Sequence, residues 1–259
     1  MNLGCISREY YIGRYIYLTG MIAGLPDVRP GNKCGSEILS LYLSDQNTGR
    51  RIRRRISRAS SLWDQYYEYA LKRERLESQL KNLLTSWSED YSGALSKEAS
   101  KYKIIPPKKS YYNSAMWESF KSNDCDVPND FPVFYKSFVM RSQFEVEVAK
   151  VLDSLGIDYK YEVRLPIGGG DEMNPDMSVN LPEYNRCGFV EALGGLDNMK
   201  YTSHNTWKLK NYINIGLYPN RDVALISADK RYFPDRELIK RSIGLMLSSI
   251  AAQYVVRVE

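Results

Sequence analysis

The segment from Asn174 to Gly194 constrains this chain more than any other. Asn174-Pro175-Asp176 leads into Met177-Ser178-Val179-Asn180, and Phe189-Val190-Glu191-Ala192-Leu193-Gly194 follows after a short gap. Both stretches read as short β-strands bounded by turn residues. Each presents one carboxylate, Asp176 and Glu191, fifteen positions apart. In the first strand Asp176, Ser178 and Asn180 alternate with Met177 and Val179, which predicts that the acid faces away from the apolar side. In the second, Glu191 is a single charge in an apolar run, and burying it is costly unless a cation or a metal meets it. Two carboxylates on neighbouring strands form a hard-oxygen site of the kind Mg²⁺ prefers. Taken alone, Pro175-Asp176 also fits an ordinary turn, and Glu191 fits an ion pair with a nearby arginine.

The flanking pattern from Arg141 onward is regular. Ser142–Leu155 is predicted as a helix with Phe144, Val148, Val151, Leu152 and Leu155 on one stripe, capped by Gly156. Tyr159–Leu165 alternates as a half-buried strand, and Gly168–Asp171 is a turn that lets the acidic strands approach a substrate. A helix over Asn198–Gly216, a buried strand over Val223–Ser227 and an amphipathic helix over Asp235–Ala251 follow. The predicted order is helix, three strands, helix, strand, helix.

That order, with acids at those places, resembles the PD-(D/E)XK nuclease superfamily. Arg141-Ser142-Gln143-Phe144-Glu145 is similar to the Arg-Ser-x-x-Glu start of the first core helix in one bacterial branch, and Tyr161-Glu162 to its strand ending. Gly194, Asp197, Tyr201, Lys208, Tyr212 and Gly216 fall at spacings similar to that branch's Glu-x-x-Gly-x-x-Asp tail and following helix. The resemblance covers about residues 130–250. It implies an α/β (α+β) fold, a restriction-endonuclease-like mixed sheet flanked by helices. It implies Asp176 and Glu191 as ligands of Mg²⁺, for which Mn²⁺ substitutes, with Glu145 assisting and the Ala192 carbonyl as a further ligand. The superfamily's usual lysine lies two residues after the second acid, where this chain has Leu193. Many members supply it from the next helix, which points to Lys208, with Lys210 as competitor. The implied reaction is phosphodiester hydrolysis to a 5′-phosphate and a 3′-hydroxyl, with DNA favoured over RNA by family habit. His204, the single histidine, lies on the Lys208 helix and is either near the scissile phosphate or a surface residue. Tyr201 and Trp207 are expected to pack rather than to catalyse.

The N-terminal half differs in charge. Residues 1–140 carry a net +6 and residues 141–259 a net −1, together the +5 of the chain. Ile38–Ser44 alternates, Asp45–Gly49 is a turn cluster, and Arg50, Arg51, Arg53, Arg54, Arg55 and Arg58 follow with Ile52 and Ile56 on one strand face. An arginine-rich hairpin suits the phosphates of nucleic acid without reading sequence, and a basic surface patch is the plainer alternative. Tyr69, Leu76, Leu80, Leu83 and Trp87 mark a long amphipathic helix over Leu62–Trp87, a candidate dimer surface. Pro106-Pro107-Lys108-Lys109 and Ser122–Pro132 read as irregular connections. The expected division is 1–110 as a basic nucleic-acid or partner-binding region, 111–140 as a linker, and 141–259 as the nuclease-like domain.

Four scattered cysteines exclude a disulfide scaffold and a zinc cage, and are expected to be reduced thiols. One histidine excludes a multi-histidine metal site. No apolar run spans a membrane and no secretory signal is seen, so a cytoplasmic protein is expected. Two functions remain: a Mg²⁺-dependent endonuclease, or a non-catalytic nucleic-acid-binding or inhibitor protein on a degenerate nuclease core. Leu193 in the lysine position and the basic N-terminal half allow the second.

Overall fold

The computed structural model describes residues 6–33, 35–45, 48–105, 107, 111–126, 129, 131–194, 199–229 and 232–258, without the side chains of Lys200 and Tyr201. Cys5, Cys34, part of the Asp45–Gly49 turn, most of the Pro106–Lys109 connection, three positions within Ser122–Pro132, and Asp197 lie outside the described residues. In chain order the elements begin with α1 (Arg8–Ala23), β1 (Asp27–Lys33), β2 (Ser36–Ser44), β3 (Arg51–Ser57) and α2 (Trp63–Asp90). Then come α3 (Leu95–Ala99), β4 (Tyr102–Ile104), α4 (Ser114–Ser119), β5 (Val133–Tyr135) and β6 (Phe138–Met140). The remainder is α5 (Gln143–Ser154), β7 (Tyr159–Tyr161), β8 (Leu165–Gly168), β9 (Asp171–Met173), β10 (Met177–Leu181), β11 (Arg186–Leu193), α6 (Met199–Asn214), β12 (Val223–Ser227), α7 (Arg236–Ala251) and β13 (Val255–Arg257).

The sheet that carries the acids is mixed, in the order β12-β11-β10-β7. β10 runs antiparallel to β11 and β7, and β11 runs parallel to β12 across the α6 crossover. Alternation sends Met177, Val179 and Val190 to one face, where they join the α5 stripe of Phe144, Val148, Val151, Leu152 and Leu155 and the α7 residues Ile243 and Leu247. Cys187 and Phe189 point to the other face, with Tyr212 of α6 and Trp117 of α4. Both faces are therefore covered, and this corrects the expected polar side of β10. Ser178 and Asn180 are buried as well: the Ser114 hydroxyl donates to Asn180 Oδ1 at 3.1 Å and the Trp117 indole to the Ser178 carbonyl at 3.0 Å, while the Ser178 hydroxyl is buried with no partner among the described residues.

The strand expected over Tyr159–Leu165 is broken. β7 stops at Tyr161 because Glu162 takes a φ of +44°, which turns the chain out of the sheet before β8 and β9 form a separate hairpin. The Glu162 N–H still donates to the Asp176 carbonyl at 3.1 Å, so the break sits directly beside the first acid.

β1, β2 and β3 form a three-stranded antiparallel sheet, one strand more than the expected hairpin. Its apolar face, Val28, Leu39, Leu41 and Ile56, packs on Trp63 and Ala70 of the single long helix α2. α1 carries no clean apolar stripe in sequence, yet Tyr10, Tyr11, Ile12 and Leu18 enter the same core as α5 and α7. Gly13 allows that approach: a Cβ there would lie 2.3 Å from the Tyr184 hydroxyl. Among the described residues no helix is long and apolar enough to cross a membrane, and Cys125 and Cys187 are free thiols.

Candidate active site

Met177 pairs with Val190, so one further step of the register sets Asp176 against Glu191. The two carboxylates meet on one ammonium. Lys208 Nζ donates to Asp176 Oδ1 at 3.0 Å and to Glu191 Oε2 at 2.7 Å. Asp176 Oδ2 accepts the Ala192 N–H at 2.7 Å, and Glu191 Oε1 accepts the Tyr212 hydroxyl at 2.5 Å. Lys208 and Tyr212 are four apart on α6 and so share the face that looks at β11. The cluster is closed around Glu191, whose side chain is 1% exposed, and opens to solvent through Asp176, at 18%.

Charge in this cluster is unbalanced. Burial and then the Asp176 charge push the Glu191 carboxyl up to about 8, against Lys208 and Tyr212, which favour its ionised form. Burial works against the Lys208 ammonium, but Asp176 and Glu191 hold its pKa above the ordinary lysine value. With Glu191 protonated, one cation faces one carboxylate. Once that proton leaves, one cation serves two.

Glu145 sits at the start of α5 and is buried rather than a surface helix acid. It forms a capping box with Ser142: its N–H donates to Ser142 Oγ at 3.2 Å, and its Oε2 accepts the N–H groups of Arg141 and Ser142. The Tyr161 hydroxyl donates to the same oxygen at 2.8 Å. Burial, then the charge of Asp176, raises the Glu145 carboxyl to about 7. Arg141 meanwhile donates to Glu162. The Arg141/Glu145 and Tyr161/Glu162 pairs therefore bind each other and clamp the α5 start to the end of β7. Their spacing in sequence, about one helical turn and one step, does not disclose that they are mutual partners.

Among the described residues no group of three or more His, Cys, Asp or Glu side chains converges to hold a metal ion. Glu145 stays in its capping box, and the Ala192 carbonyl already accepts the Gly194 N–H at 2.9 Å. Lys210 is exposed on α6, so the helix presents Lys208 and not its competitor to the acids. His204 is exposed, and burial of part of its ring followed by the Lys208 charge lowers its pKa. Trp207 departs from the expectation of packing: it is 43% exposed and stacks on His204 with ring centroids 5.9 Å apart. Tyr212 had no role assigned beyond its spacing. Its place four residues after Lys208 is the signal that it shares the lysine's face.

The arginine run is only partly free. Arg51, Arg53 and Arg55 share a face of β3 with Ser44, Tyr42 and Ser40 of β2. Arg51 pairs with Asp27 at 2.5 Å and lies 4.2 Å from the Tyr42 ring centroid. Arg53 donates to the Ser40 hydroxyl at 2.7 Å, and Arg58 pairs with Glu37 at 3.0 Å. Arg50, Arg54 and Arg55 are exposed and make no side-chain bond among the described residues. Among the described residues, four of the six arginines, Arg50, Arg53, Arg54 and Arg55, thus have no carboxylate partner. No family model, no curated protein and no solved structure matches this chain.

Proposed function

We propose that this protein is a divalent-metal-dependent endonuclease of the PD-(D/E)XK kind, acting on DNA with Mg²⁺ or Mn²⁺, on a restriction-endonuclease-like core. The observation that carries this reading is the single Lys208 ammonium held between the Asp176 and Glu191 oxygens at the open end of the sheet. The donor set fits Mg²⁺, which is commonly held by one or two carboxylates while keeping several waters. Both carboxylates already converge on one cation, the Lys208 ammonium. Bound by Asp176 and Glu191, the ion would supply Lewis-acid polarisation of the phosphate and a water of lowered pKa.

The chain's own residues do the rest. Glu191 would hold the ion in its ionised form, and the Tyr212 hydroxyl fixes its rotamer. The Ala192 N–H orients the Asp176 carboxylate. Lys208 keeps its ammonium beside the reacting centre, where it neutralises charge developing on the phosphoryl oxygens. Glu145 acts at longer range, through the charge of Asp176 that it feels. Arg50, Arg53, Arg54 and Arg55 hold backbone phosphates, with Arg51 and Arg58 joining when their surface ion pairs open, each such pair being worth at most about 1 kcal/mol. Water adds to phosphorus, the P–O3′ bond breaks, and the 3′ oxygen leaves with a proton.

Cleavage of supercoiled plasmid, linear duplex and single-stranded DNA in Mg²⁺, Mn²⁺ or EDTA, beside Asp176→Ala, tests this reading. Metal-dependent cutting that the variant lacks supports it. One observation favours the non-catalytic alternative: every oxygen of Asp176 and Glu191 already has a donor within the chain. That reading expects no cutting of any substrate, with salt-sensitive DNA binding that Arg53→Ala plus Arg54→Ala removes and Asp176→Ala does not.

A further inference from the structure

Three of the four tryptophans are core residues, with Trp63, Trp87 and Trp117 at 8%, 4% and 7% exposure, and Trp207 alone stands out at 43%. It is not an isolated surface aromatic. His204 lies one helical turn before Lys208 and stacks against Trp207, with an interplanar angle of 19°. At about 100° per residue, His204 is about 40° around α6 from Lys208 and Trp207 about 100°, on the same side. The two rings therefore make an offset aromatic stack, called the plate below, that starts at the lip of the carboxylate cluster and leaves Trp207 exposed. The lowered pKa of His204 leaves its ring neutral at pH 7, which suits an uncharged partner. Exposed stacked aromatics beside a phosphate-handling centre are the usual means of gripping a base that has left the helix stack, and a paired duplex offers no free base face to them.

We propose that the His204–Trp207 plate binds an unpaired nucleobase next to the Asp176–Glu191 centre, so that the preferred substrate is single-stranded or locally unpaired nucleic acid. This rests on the nuclease reading for its ligand class, and the two are separable by experiment.

The full chain in EDTA is titrated with a short oligodeoxythymidylate, an abasic oligomer of equal length, and a hairpin duplex, following tryptophan emission and the anisotropy of an end label. Oligodeoxythymidylate quenches the emission, while the abasic oligomer binds through the arginines without quenching. Trp207→Ala removes the quenching and weakens oligodeoxythymidylate binding about tenfold, leaving abasic binding unchanged, and Trp207→Phe restores most of the affinity. Because residue 207 is on the surface, neither variant disturbs the core. Equal quenching by the abasic oligomer, unchanged affinity in Trp207→Ala, or no binding at all overturns the proposal. Base-dependent quenching without metal-dependent cutting would remove the nuclease and keep the plate. Metal-dependent cutting of single strand and duplex alike, unaffected by Trp207→Ala, would remove the plate and keep the nuclease.

Discussion

Two of the buried charge clusters among the described residues are built on opposite principles. In one, Arg14 of α1 meets Glu183 at 2.8 Å, with side-chain exposures of 2% and 0%. The guanidinium also donates to Gln79 of α2 at 3.2 Å and to the Gly156 carbonyl at 3.1 Å. One cation faces one carboxylate, neutral atoms take further donors, and the cluster is sealed where α1, α2 and the segment after β10 meet. In the other, Lys208 faces Asp176 and Glu191, the second acid keeps its proton up to about 8, and the cluster opens at Asp176. A matched, sealed pair holds elements together. A cation-poor pair of acids with an opening invites another cation.

The largest effect that separates them is on chemistry. Asp176→Ala should reduce hydrolysis by at least about 10³-fold, with duplex binding in EDTA nearly unchanged. Measurable cutting above about a tenth of the wild-type rate in that variant would place the chemistry elsewhere.

Next comes stability. Arg14→Ala leaves Glu183 buried and unpaired and should cost about 3–5 kcal/mol in urea unfolding. Lys208→Met should cost less, about 1–2 kcal/mol at pH 6, because Glu191 stays neutral and Asp176 reaches water. Equal costs would erase the distinction between the clusters.

The pH dependence is a smaller effect with a definite sign. Glu191 and Glu145 are raised in the folded protein, to about 8 and about 7, above their values in the unfolded chain near about 4.3. Between those limits the folded state holds protons that the unfolded state has released. The stability these two carboxyls contribute to the metal-free protein is therefore fully present below their unfolded values and is lost as pH rises to about 7 for Glu145 and about 8 for Glu191. Glu191→Gln should flatten the upper part of that fall. Urea midpoints across pH 5 to 9 read it directly, and a wild-type profile with no fall would contradict the raised carboxyls.

Much of the second half was legible because it obeys simple periods. The stripe of α5, the apolar runs of β11 and β12, and the two acids on neighbouring strands follow from spacing. The rest was hidden for identifiable reasons. α1 was unreadable because Arg14 lies on its buried face and interrupts the stripe. The break at Glu162 was invisible because alternation continues through it, and only the left-handed φ ends the strand. Lys208 was set above its competitor Lys210 only by the resemblance, and in the fold the face shared with Tyr212 separates them. Half of the arginine run's meaning was hidden as well, since Asp27 and Glu37, partners of Arg51 and Arg58, come from other strands.

That arginine face gives the smallest predicted effect. Arg53→Ala with Arg55→Ala should lower the salt slope of DNA binding by about 2, at about 0.9 per phosphate contact, without changing the rate at saturating DNA. An unchanged slope would move the phosphate grip off β3.

Asp176 and Glu191 are proposed to take a divalent cation beside Lys208. Calorimetric titration of Mn²⁺ into the metal-free protein at pH 7, repeated in buffers of different ionisation heat, tests it directly. One saturable site that releases a proton from Glu191, weakened strongly in Asp176→Ala and without proton release in Glu191→Gln, is the predicted result. No saturable site, or a site of equal affinity in Asp176→Ala, would contradict it.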